Sequence, residues 1–305
     1  MRLVFAGTPA FAVPALEALS AAGHEIVAVV TQPDKPQGRK GIITPPPVKV
    51  AAQKRGIPVF QPEKIGKEEG YLRSLQAECM VTCAFGQILP RNILQVFPKG
   101  VWNIHASLLP AYRGASPIQW CVVNGEKETG ITIMRTEEGL DTGGFLLVNR
   151  TKITKEQTAG ELAERLSLLG AEAVVEAMDY IAEDEPQLLM QDEARATTGK
   201  KIVKEQAKID WEKDAETVCN LVRGMNPAPI AYALLSGQAV NIFRARPVEY
   251  EGEEASGEVL ARKKLTVKCA RGAVEIAELQ FAGGKRMSGA DALNGRKIER
   301  GQILQ

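Results

Sequence analysis

The 305-residue sequence is poor in the side chains that most often bind transition metals, since it contains two histidines and five cysteines. None of the cysteines forms a CxxC pair, so the sequence predicts no zinc site and no other metal site. Scattered single cysteines are typical of buried free thiols in a reducing compartment. They stand at Cys79, Cys83, Cys121, Cys219 and Cys269.

Long apolar runs are also missing. The N-terminal run covers only residues 3–6 and stops at a Gly-Thr-Pro turn. A signal peptide needs a longer apolar stretch, and a membrane helix needs about 18 or more apolar residues. We therefore expect a cytoplasmic protein that makes no membrane contact.

The sequence has no excess of one charge sign, because 38 basic residues stand against 37 acidic residues and the formal net charge is +1. The chain carries no global positive field, and any contact with nucleic acid must come from local basic patches. A chain of this length is too long for one ordinary hydrophobic core, which predicts two domains.

The first half of the chain alternates short apolar runs with amphipathic helices. Strands that alternate with helices indicate a parallel sheet with helices on both faces, and such Rossmann-like α/β sheets bind ligands beyond the carboxyl ends of their strands. Thr158 and Glu161 have capping-box spacing before an apolar helical face, which we interpret as the last helix of this domain. The predicted strands cover residues 3–6, 26–30, 80–84 and 100–104.

The pattern changes after a polar stretch that runs from residue 183 to about residue 204 and is our linker prediction. One predicted helix at residues 215–225 is followed by short strands at close spacing, which indicate a small, OB-like β-barrel. We set the domain limits at 1–188 for the Rossmann-like domain, 189–206 for the linker and 207–305 for the barrel. The predicted barrel strands cover residues 230–235, 239–245, 257–261, 265–269 and 274–279.

The densest polar cluster follows the strand predicted at residues 100–104. Asn103 and His105 point to the same face because side chains alternate along a strand. An amide and an imidazole side by side can donate hydrogen bonds to an oxyanion as it forms. The alternative is a half-buried histidine with satisfied hydrogen bonds, but the adjoining Asn103 and Ser107 favour a site. We read His24 as a capping or surface residue.

A second cluster, at residues 137–144, brackets one acid, Asp141, between glycines. Taken alone, this sequence is typical of a solvated turn. As a partner of His105, the carboxylate would raise the pKa of the imidazole, fix its tautomer and stabilise the imidazolium.

A proline- and glycine-punctuated loop runs from residue 32 to residue 49, and loops of this length in α/β domains are functional or disordered. Its basic side chains suit contact with phosphate groups. The alternative is a solvated charged loop. The basic side chains are Lys35, Arg39, Lys40 and Lys49.

Two other reaction classes fit the motifs poorly. Ser107 lacks the G-x-S-x-G elbow of a hydrolase triad. Residues 7–12 do not form G-x-G-x-x-G, which argues against a nicotinamide-dependent oxidoreductase.

Together these segments resemble the folate-dependent formyltransferases. Residues 103–110 (Asn-Ile-His-Ala-Ser-Leu-Leu-Pro) are similar to the core motif of the family, and residues 139–143 (Gly-Leu-Asp-Thr-Gly) are similar to its acid loop. Residues 84–90 resemble the segment that lines the pterin pocket, with Phe85 where the family often has tyrosine. Within the family, the loop at residues 32–49 and the motifs Ile209-Asp210-Trp211, Asn226-Pro227 and residues 286–290 resemble the members that act on initiator methionyl-tRNA.

The resemblance implies a formyl transfer from 10-formyltetrahydrofolate, the co-substrate, to the amino group of the methionyl moiety of initiator methionyl-tRNA, in support of translation initiation. It implies Asn103, His105 and Asp141 as catalytic residues, no metal and a second domain that binds tRNA. We also expect a monomer, because the sequence shows no exposed heptad pattern and no long apolar edge. The implied folate-binding residues are Phe85, Gly86, Gln87, Ile88, Leu89, Ser107, Leu108, Leu109, Pro110, Gly139 and Leu140. The implied tRNA-binding residues are Lys35, Arg39, Lys40 and Arg113.

Three alternatives stay open. The first two are a folate-dependent sugar-nucleotide formyltransferase, which usually lacks the long basic loop, and a 10-formyltetrahydrofolate hydrolase, which usually lacks the amide at Asn103. The third is a noncatalytic RNA-binding protein on an enzyme scaffold. The presence of Asn103, His105 and Asp141 argues against that class.

Overall fold

The computed structural model describes residues 1–38, 41–183, 186–260 and 264–305. These residues form two compact units, each assembled from several segments. The first unit contains Met1–Gly114, Thr129–Thr151 and Ala163–Thr198, and the second contains Ala115–Glu128, Lys152–Leu162 and Gly199–Gln305. The domain limits at residues 188 and 207 stay predictions, and residues 189–198 of the predicted linker pack within the first unit.

A seven-stranded sheet forms the centre of the first unit. Its strands are β1 (Arg2–Gly7), β2 (Glu25–Val30), β5 (Val59–Phe60), β6 (Cys79–Cys83), β7 (Val101–His105), β8 (Glu128–Arg135) and β9 (Phe145–Lys152). They lie in the order β5-β2-β1-β6-β7-β8-β9. The strands from β5 to β7 pair in parallel, whereas β7 and β8 pair antiparallel. The sheet is therefore mixed, and its first five strands have the Rossmann-like arrangement.

The apolar runs of the sequence form these strands because both faces of the sheet are covered. In β1, the side chains of Leu3, Val4, Phe5 and Ala6 are fully buried. The α-helices of the two units, within the described residues, are α1 (Val13–Ala21), α2 (Pro47–Lys54), α3 (Glu69–Ser74), α4 (Arg91–Leu94), α5 (Pro117–Val123), α6 (Ala159–Ala182), α7 (Ala215–Gly224) and α8 (Gly289–Asn294). A short hairpin, β3 (Lys35–Gln37) and β4 (Ile42–Thr44), follows β2.

The predicted capping box is present at the start of α6. The Thr158 hydroxyl accepts from the Glu161 amide at 3.2 Å, and the Glu161 carboxylate accepts from the Thr158 amide at 2.8 Å. Both bonds use backbone donors that have no partner inside the helix, so they fix where α6 begins.

The second unit contains an antiparallel sheet of β10 (Ala231–Leu235), β11 (Gln238–Val248), β12 (Thr266–Lys268), β13 (Ala273–Phe281) and β14 (Met287–Ser288). Isolated bridges continue the pairing from Leu235 to Leu304, from Ile303 to Glu258 and from Val259 to Val267 in β12. This pairing closes the strands into a small barrel. The barrel surrounds a core that includes Trp211, Val240 and Ile276.

The predicted strands at residues 3–6, 26–30, 80–84 and 100–104 are confirmed as β1, β2, β6 and β7. In the barrel, residues 257–261 were predicted to form a strand. The structure gives bridges at Glu258 and Val259 instead, and Ala261 lies outside the described residues. Within the described residues, none of the helices is both long and apolar enough to cross a membrane.

Candidate active site

Asn103 lies in the middle of the first unit's sheet, opposite Thr82 on β6 and Met134 on β8. The buried Thr82 hydroxyl donates to Asn103 Oδ1 at 2.9 Å. With its oxygen held in this way, the Asn103 amide nitrogen is the group that can donate away from the sheet. Among the residues that the structure describes, none accepts a hydrogen bond from that nitrogen.

His105 ends β7 and is almost fully buried. Its Nε2 lies 3.1 Å from the Tyr112 carbonyl oxygen, which can only accept, so the proton of the neutral ring is on Nε2. Its Nδ1 lies 3.6 Å from Asp141 Oδ2. The neutral ring therefore presents a lone pair at Nδ1, where a proton would be stabilised by the carboxylate.

Burial lowers the pKa of His105 from its ordinary value of 6.5, while the charge of Asp141 and the hydrogen bond to the Tyr112 carbonyl act in the opposite direction. Burial is the largest of these effects because an imidazolium loses hydration. The ring is consequently neutral at physiological pH and can accept a proton.

Asp141 is held in an unusual backbone conformation, with a φ of 54°. Its Oδ2 accepts from the Gly114 amide at 2.8 Å, and a Cβ at Gly143 would collide with the Arg135 carbonyl oxygen. Left-handed conformations of residues other than glycine persist only where the surroundings enforce them. Ala84, which directly follows β6, and Tyr112, in the loop after β7, also have positive φ.

The loop that follows β7 is built by its own hydrogen bonds. Ser107 is fully buried, and its hydroxyl donates to the Ala111 carbonyl at 2.6 Å. The Ser107 carbonyl accepts from the Thr132 hydroxyl at 2.7 Å. Ser107 therefore shapes the loop, which leaves its side chain unsuited to the folate contact that the sequence predicts. Leu109 is buried, while Leu108 and Pro110 are half-buried.

The segment predicted to line a pterin pocket turns sharply after β6. Phe85 is buried in the core, and its carbonyl accepts from the Thr8 hydroxyl at 2.8 Å. The Gln87 side chain binds the Ile65 amide at 2.9 Å and the Pro62 carbonyl at 3.0 Å. This leaves the backbone at Gly86 and the Ile88 side chain, which is 88% exposed, to face a ligand.

The other predicted folate residues divide in the same way. Leu89 is buried in the core with Phe85. In the acid loop, Gly139 has a φ of 123° and Leu140 is 56% exposed. Ile88 and Leu140 are thus the exposed apolar side chains that follow β6 and β8, and they are suited to contact with an aromatic ring.

The predicted tRNA-binding residues do not share one environment. Lys35 is exposed at the start of the β3–β4 hairpin, whereas Arg39 and Lys40 lie outside the described residues. Arg113 is 8% exposed, and its guanidinium pairs with Glu193 at 2.6 Å. Its placement therefore favours a structural role over the predicted contact with RNA.

Lys49 of the same basic loop is also engaged. Its ammonium donates to Asp34 and to Gln61, both at 2.8 Å. Hydrogen bonds from Gln61 and then from Lys49 lower the pKa of the Asp34 carboxyl. The lysine neutralises an acid at the base of the hairpin and is not available to a phosphate group.

Sequence reasoning missed two residues that hold the site. Thr82 lies in a strand that we interpreted only as core, and Gln191 lies in the stretch that we interpreted as a linker. Gln191 donates to the Asp141 and Gly143 carbonyls, both at 2.8 Å. No local pattern in the sequence marks either contact, because the partners are far apart in the chain.

Comparison with known proteins agrees with this geometry. Residues 1–178 match the family described as Formyl transferase, and residues 201–297 match the family described as Formyl transferase, C-terminal domain. The chain belongs to the formyl transferase family, and it is a transferase.

Curated relatives extend the similarity over the whole chain. A methionyl-tRNA formyltransferase of Citrifermentans bemidjiense is 45% identical over 100% of this chain and 96% of its own length. A methionyl-tRNA formyltransferase of Bacillus velezensis is 42% identical over 99% of this chain and 97% of its own length.

Among solved structures, an N-formyltransferase of Helicobacter canadensis in complex with folinic acid and dTDP-3-aminofucose has a TM-score of 0.72. It is 18% identical, over 91% of this chain and 99% of its own. HypX of Aquifex aeolicus with tetrahydrofolic acid has a TM-score of 0.66 at 18% identity, over 100% of this chain and 50% of its own. At these identities the likeness shows the shared fold.

Proposed function

We propose that this protein transfers the formyl group of 10-formyltetrahydrofolate to the amino group of the methionyl moiety of initiator methionyl-tRNA, and that it does so in the cytoplasm in support of translation initiation. The observation that carries the proposal is full-length similarity, at 45% and 42% identity, to relatives that are named for this activity. The arrangement of Asn103, His105 and Asp141 supplies the chemistry.

The amine attacks the formyl carbon, and the carbonyl oxygen becomes an oxyanion. Asn103 Nδ2 donates to that oxygen, since Thr82 holds the other end of the carboxamide. Because the amide is fixed before the substrate arrives, it does not have to reorganise as charge develops. The predicted second donor, His105, has its only N–H on Nε2 in the neutral ring, and the Tyr112 carbonyl already accepts from that group.

His105 takes the proton that the attacking amine loses. The neutral ring offers Nδ1, and the imidazolium then lies 3.6 Å from the Asp141 carboxylate and 3.1 Å from the Tyr112 carbonyl. Both ring N–H groups of the charged form face oxygen atoms, which offsets the cost of a buried charge. The proton leaves with the tetrahydrofolate nitrogen when the tetrahedral intermediate breaks down.

The folate co-substrate binds at the carboxyl ends of β6 and β7, against Gly86 and Ile88 after β6 and against Leu140, which the loop after β8 carries back to this edge beside His105. Parallel sheets of this type take ligands at that edge. The exposed apolar side chains of Ile88 and Leu140 would cover aromatic rings of the folate. No metal is required, because the amide and the imidazole supply the donor and the base.

The acceptor approaches from the side of the hairpin. A cavity of about 300 Å³ lies at the ends of β1 and β2, lined by Thr8, Pro9, Gln32, Lys35 and Pro46 among others. β1 lies two strands from β7, so these two strands are about 10 Å apart at ordinary strand spacing. The methionyl group would occupy this cavity, and Lys35 in its lining would contact phosphate groups at the 3′ end of the tRNA.

We further propose that the barrel, residues 207–305, binds the tRNA, and that the protein acts as a monomer. Small barrels commonly bind nucleic acid. Barrel residues such as Lys264 and Arg246 are paired with Glu275, so only part of the barrel surface offers free positive charge.

The test is formyl transfer from 10-formyltetrahydrofolate to charged initiator methionyl-tRNA, with release of tetrahydrofolate followed in parallel. We expect equal amounts of formylated tRNA and released folate, and neither product with the His105→Ala protein. Folate release without formylated tRNA would overturn the proposal in favour of a hydrolase. Transfer to an amino-sugar nucleotide in place of the tRNA would overturn it in favour of a sugar formyltransferase.

A further inference from the structure

Residues 189–198, which we call the clasp, follow α6 and belong to the first unit. They contact both loops that carry the candidate catalytic groups. We propose that Gln191 in the clasp is a positioning residue that holds Asp141 against His105, with Arg113 and Glu193 fixing Gln191 in turn. This inference rests on the role proposed above for Asp141.

The Gln191 carboxamide uses its full hydrogen-bonding capacity. Its nitrogen donates to the Asp141 and Gly143 carbonyls at 2.8 Å each. Its oxygen accepts from Arg113 Nε at 3.0 Å and from Arg113 Nη2 at 2.8 Å. A rotated amide would set oxygen against the two carbonyls and nitrogen against the guanidinium, so a single orientation is possible.

Arg113 is fixed from its other side. Its guanidinium forms a two-pronged pair with the Glu193 carboxylate, at 2.9 Å and 2.6 Å. Paired guanidinium and carboxylate groups of this geometry are strongly directional. Glu193 in the clasp is exposed, while Arg113 is buried. The pair therefore ties the clasp to a buried side chain of the loop after β7.

The clasp also holds the loop after β7. The Thr197 carbonyl accepts from the Arg113 amide at 2.8 Å, and the Thr197 hydroxyl accepts from the Tyr112 amide at 2.9 Å. Tyr112 supplies the carbonyl that meets His105, and the Gly114 amide binds Asp141. One short segment therefore sets both the imidazole and the carboxylate.

The acid loop needs such support because Asp141 has a positive φ, which a residue with a side chain adopts only when its surroundings enforce it. The carbonyl oxygens of Asp141 and Gly143 both accept hydrogen bonds from Gln191. Within the described residues, no backbone N–H donates to either oxygen. Without the two hydrogen bonds, Asp141 is free to relax away from His105, and the imidazolium loses its stabilising charge.

The experiment is a double-mutant cycle between Gln191→Met and Asp141→Asn. Methionine has nearly the same length and removes all four bonds. We expect Gln191→Met to lower kcat by about 10- to 100-fold, in the range that small misplacements of catalytic groups cause, and to leave KM for both substrates within about twofold. In the Asp141→Asn background, the same change should lower kcat by less than about twofold, because coupled residues act non-additively.

Two further variants separate the clasp contacts. Gln191→Glu keeps the acceptor for Arg113 but removes both donors to the acid loop, so it should lose as much turnover as Gln191→Met. Asp192→Ala is the matched control, since its exposed carboxylate only caps the turn that follows it. Thermal unfolding of every variant shows whether the fold is retained.

The inference is overturned if Gln191→Met keeps the kcat of the wild type, or if its loss is as large with Asn at position 141 as with Asp. It is also overturned if Gln191→Glu is fully active. Turnover is scored as release of tetrahydrofolate, which any formyl acceptor supports. If the acceptor is not methionyl-tRNA, the proposed function is wrong, but the double-mutant cycle still tests the role of Gln191.

Discussion

Asn103 and His105 occupy alternate positions of β7, and their hydrogen-bond partners give them different tasks. The Asn103 oxygen is occupied by Thr82, so its nitrogen is free to donate. Both nitrogens of His105 face oxygen atoms of Tyr112 and Asp141. The amide is thus suited to stabilise an oxyanion, and the imidazole is suited to take up a proton.

Replacing Asn103 with alanine should lower kcat by about 10² to 10³, the usual cost of losing one oxyanion donor. The midpoint of thermal unfolding should change little, because the side chain is only half-buried. Asn149→Ala, half-buried on β9 of the same sheet, is the control and should keep wild-type turnover. An Asn103→Ala protein that turns over at the wild-type rate would exclude the donor role.

Replacing Asp141 with asparagine should lower the pKa of His105 further, because the carboxylate stabilises the imidazolium. Burial already places that pKa below 6.5 in the wild type, and the mechanism needs the neutral ring. The acid limb of the kcat–pH profile should therefore lie below pH 6.5 and move to still lower pH in Asp141→Asn, with a reduced maximum. Steady-state rates at saturating substrates between pH 5 and pH 8, roughly the range in which His titrates, measure this. A limb that moves to higher pH contradicts the assignment.

At this scale, strand alternation was enough to predict that Asn103 and His105 share a face, and the structure brings Asp141 to His105 as expected. The sequence did not predict the contacts of Thr82 and Gln191, and the reason is physical. Thr82 meets Asn103 only through the register of two parallel strands, and Gln191 meets Asp141 across 50 positions of the chain. Neither register nor a long-range contact is encoded in local spacing.

The β3–β4 hairpin is the element that carries the basic loop, and it displays Lys35 together with Ile42 and Ile43, which are 63% and 69% exposed. Lys49 at its base is neutralised by Asp34. Among the described basic residues of this loop, Lys35 is therefore the one whose charge is left for a nucleic acid.

Replacing Arg39 with alanine should weaken binding of initiator tRNA and reduce the slope of log K against log salt by about 1, the value for one lost phosphate contact. Binding of the folate should not change. Lys54→Ala, an exposed charge at the end of α2, serves as the control and should keep the wild-type slope. The measurement is a salt series of binding isotherms. An unchanged slope for Arg39→Ala would place the phosphate contacts elsewhere.

Among the elements, the sequence predicted β1 and β6, which are buried on both faces and whose sequences are mostly apolar. It missed β8, which is also buried, because Thr129, Gly130 and Thr132 interrupt its apolar run. It did not predict β9, where half-buried residues follow one another without alternation at the sheet edge. It also gave no sign that β8 runs antiparallel to β7, since strand direction depends on the connection and not on composition.

At the scale of the whole molecule, both units bury their cysteines. Burial raises the pKa of Cys79, Cys83, Cys219 and Cys269 to about 12. Cys121 is likewise buried, so the expectation of buried free thiols is confirmed.

The native protein should therefore react with a disulfide reagent at pH 8 far more slowly than a free thiol of pKa about 8.5, since only the thiolate attacks. All five cysteines should react at once in guanidinium chloride. With a reagent that releases a chromophore, the absorbance gives the number of cysteines that have reacted in the native protein and in the denatured protein. A small-molecule thiol serves as the reference for the rate. One rapidly reacting equivalent in the native protein would show that a cysteine is exposed.

The closure of the barrel sets the timing of its folding. Its ring is completed where Leu304 pairs with Leu235 and Ile303 pairs with Glu258. On the ribosome, β10 and β11 emerge while those closing residues have not yet been synthesised, so the early strands wait with an open edge. Because contacts between distant positions form slowly, the barrel stays exposed to aggregation at least until residues 303 and 304 have been synthesised.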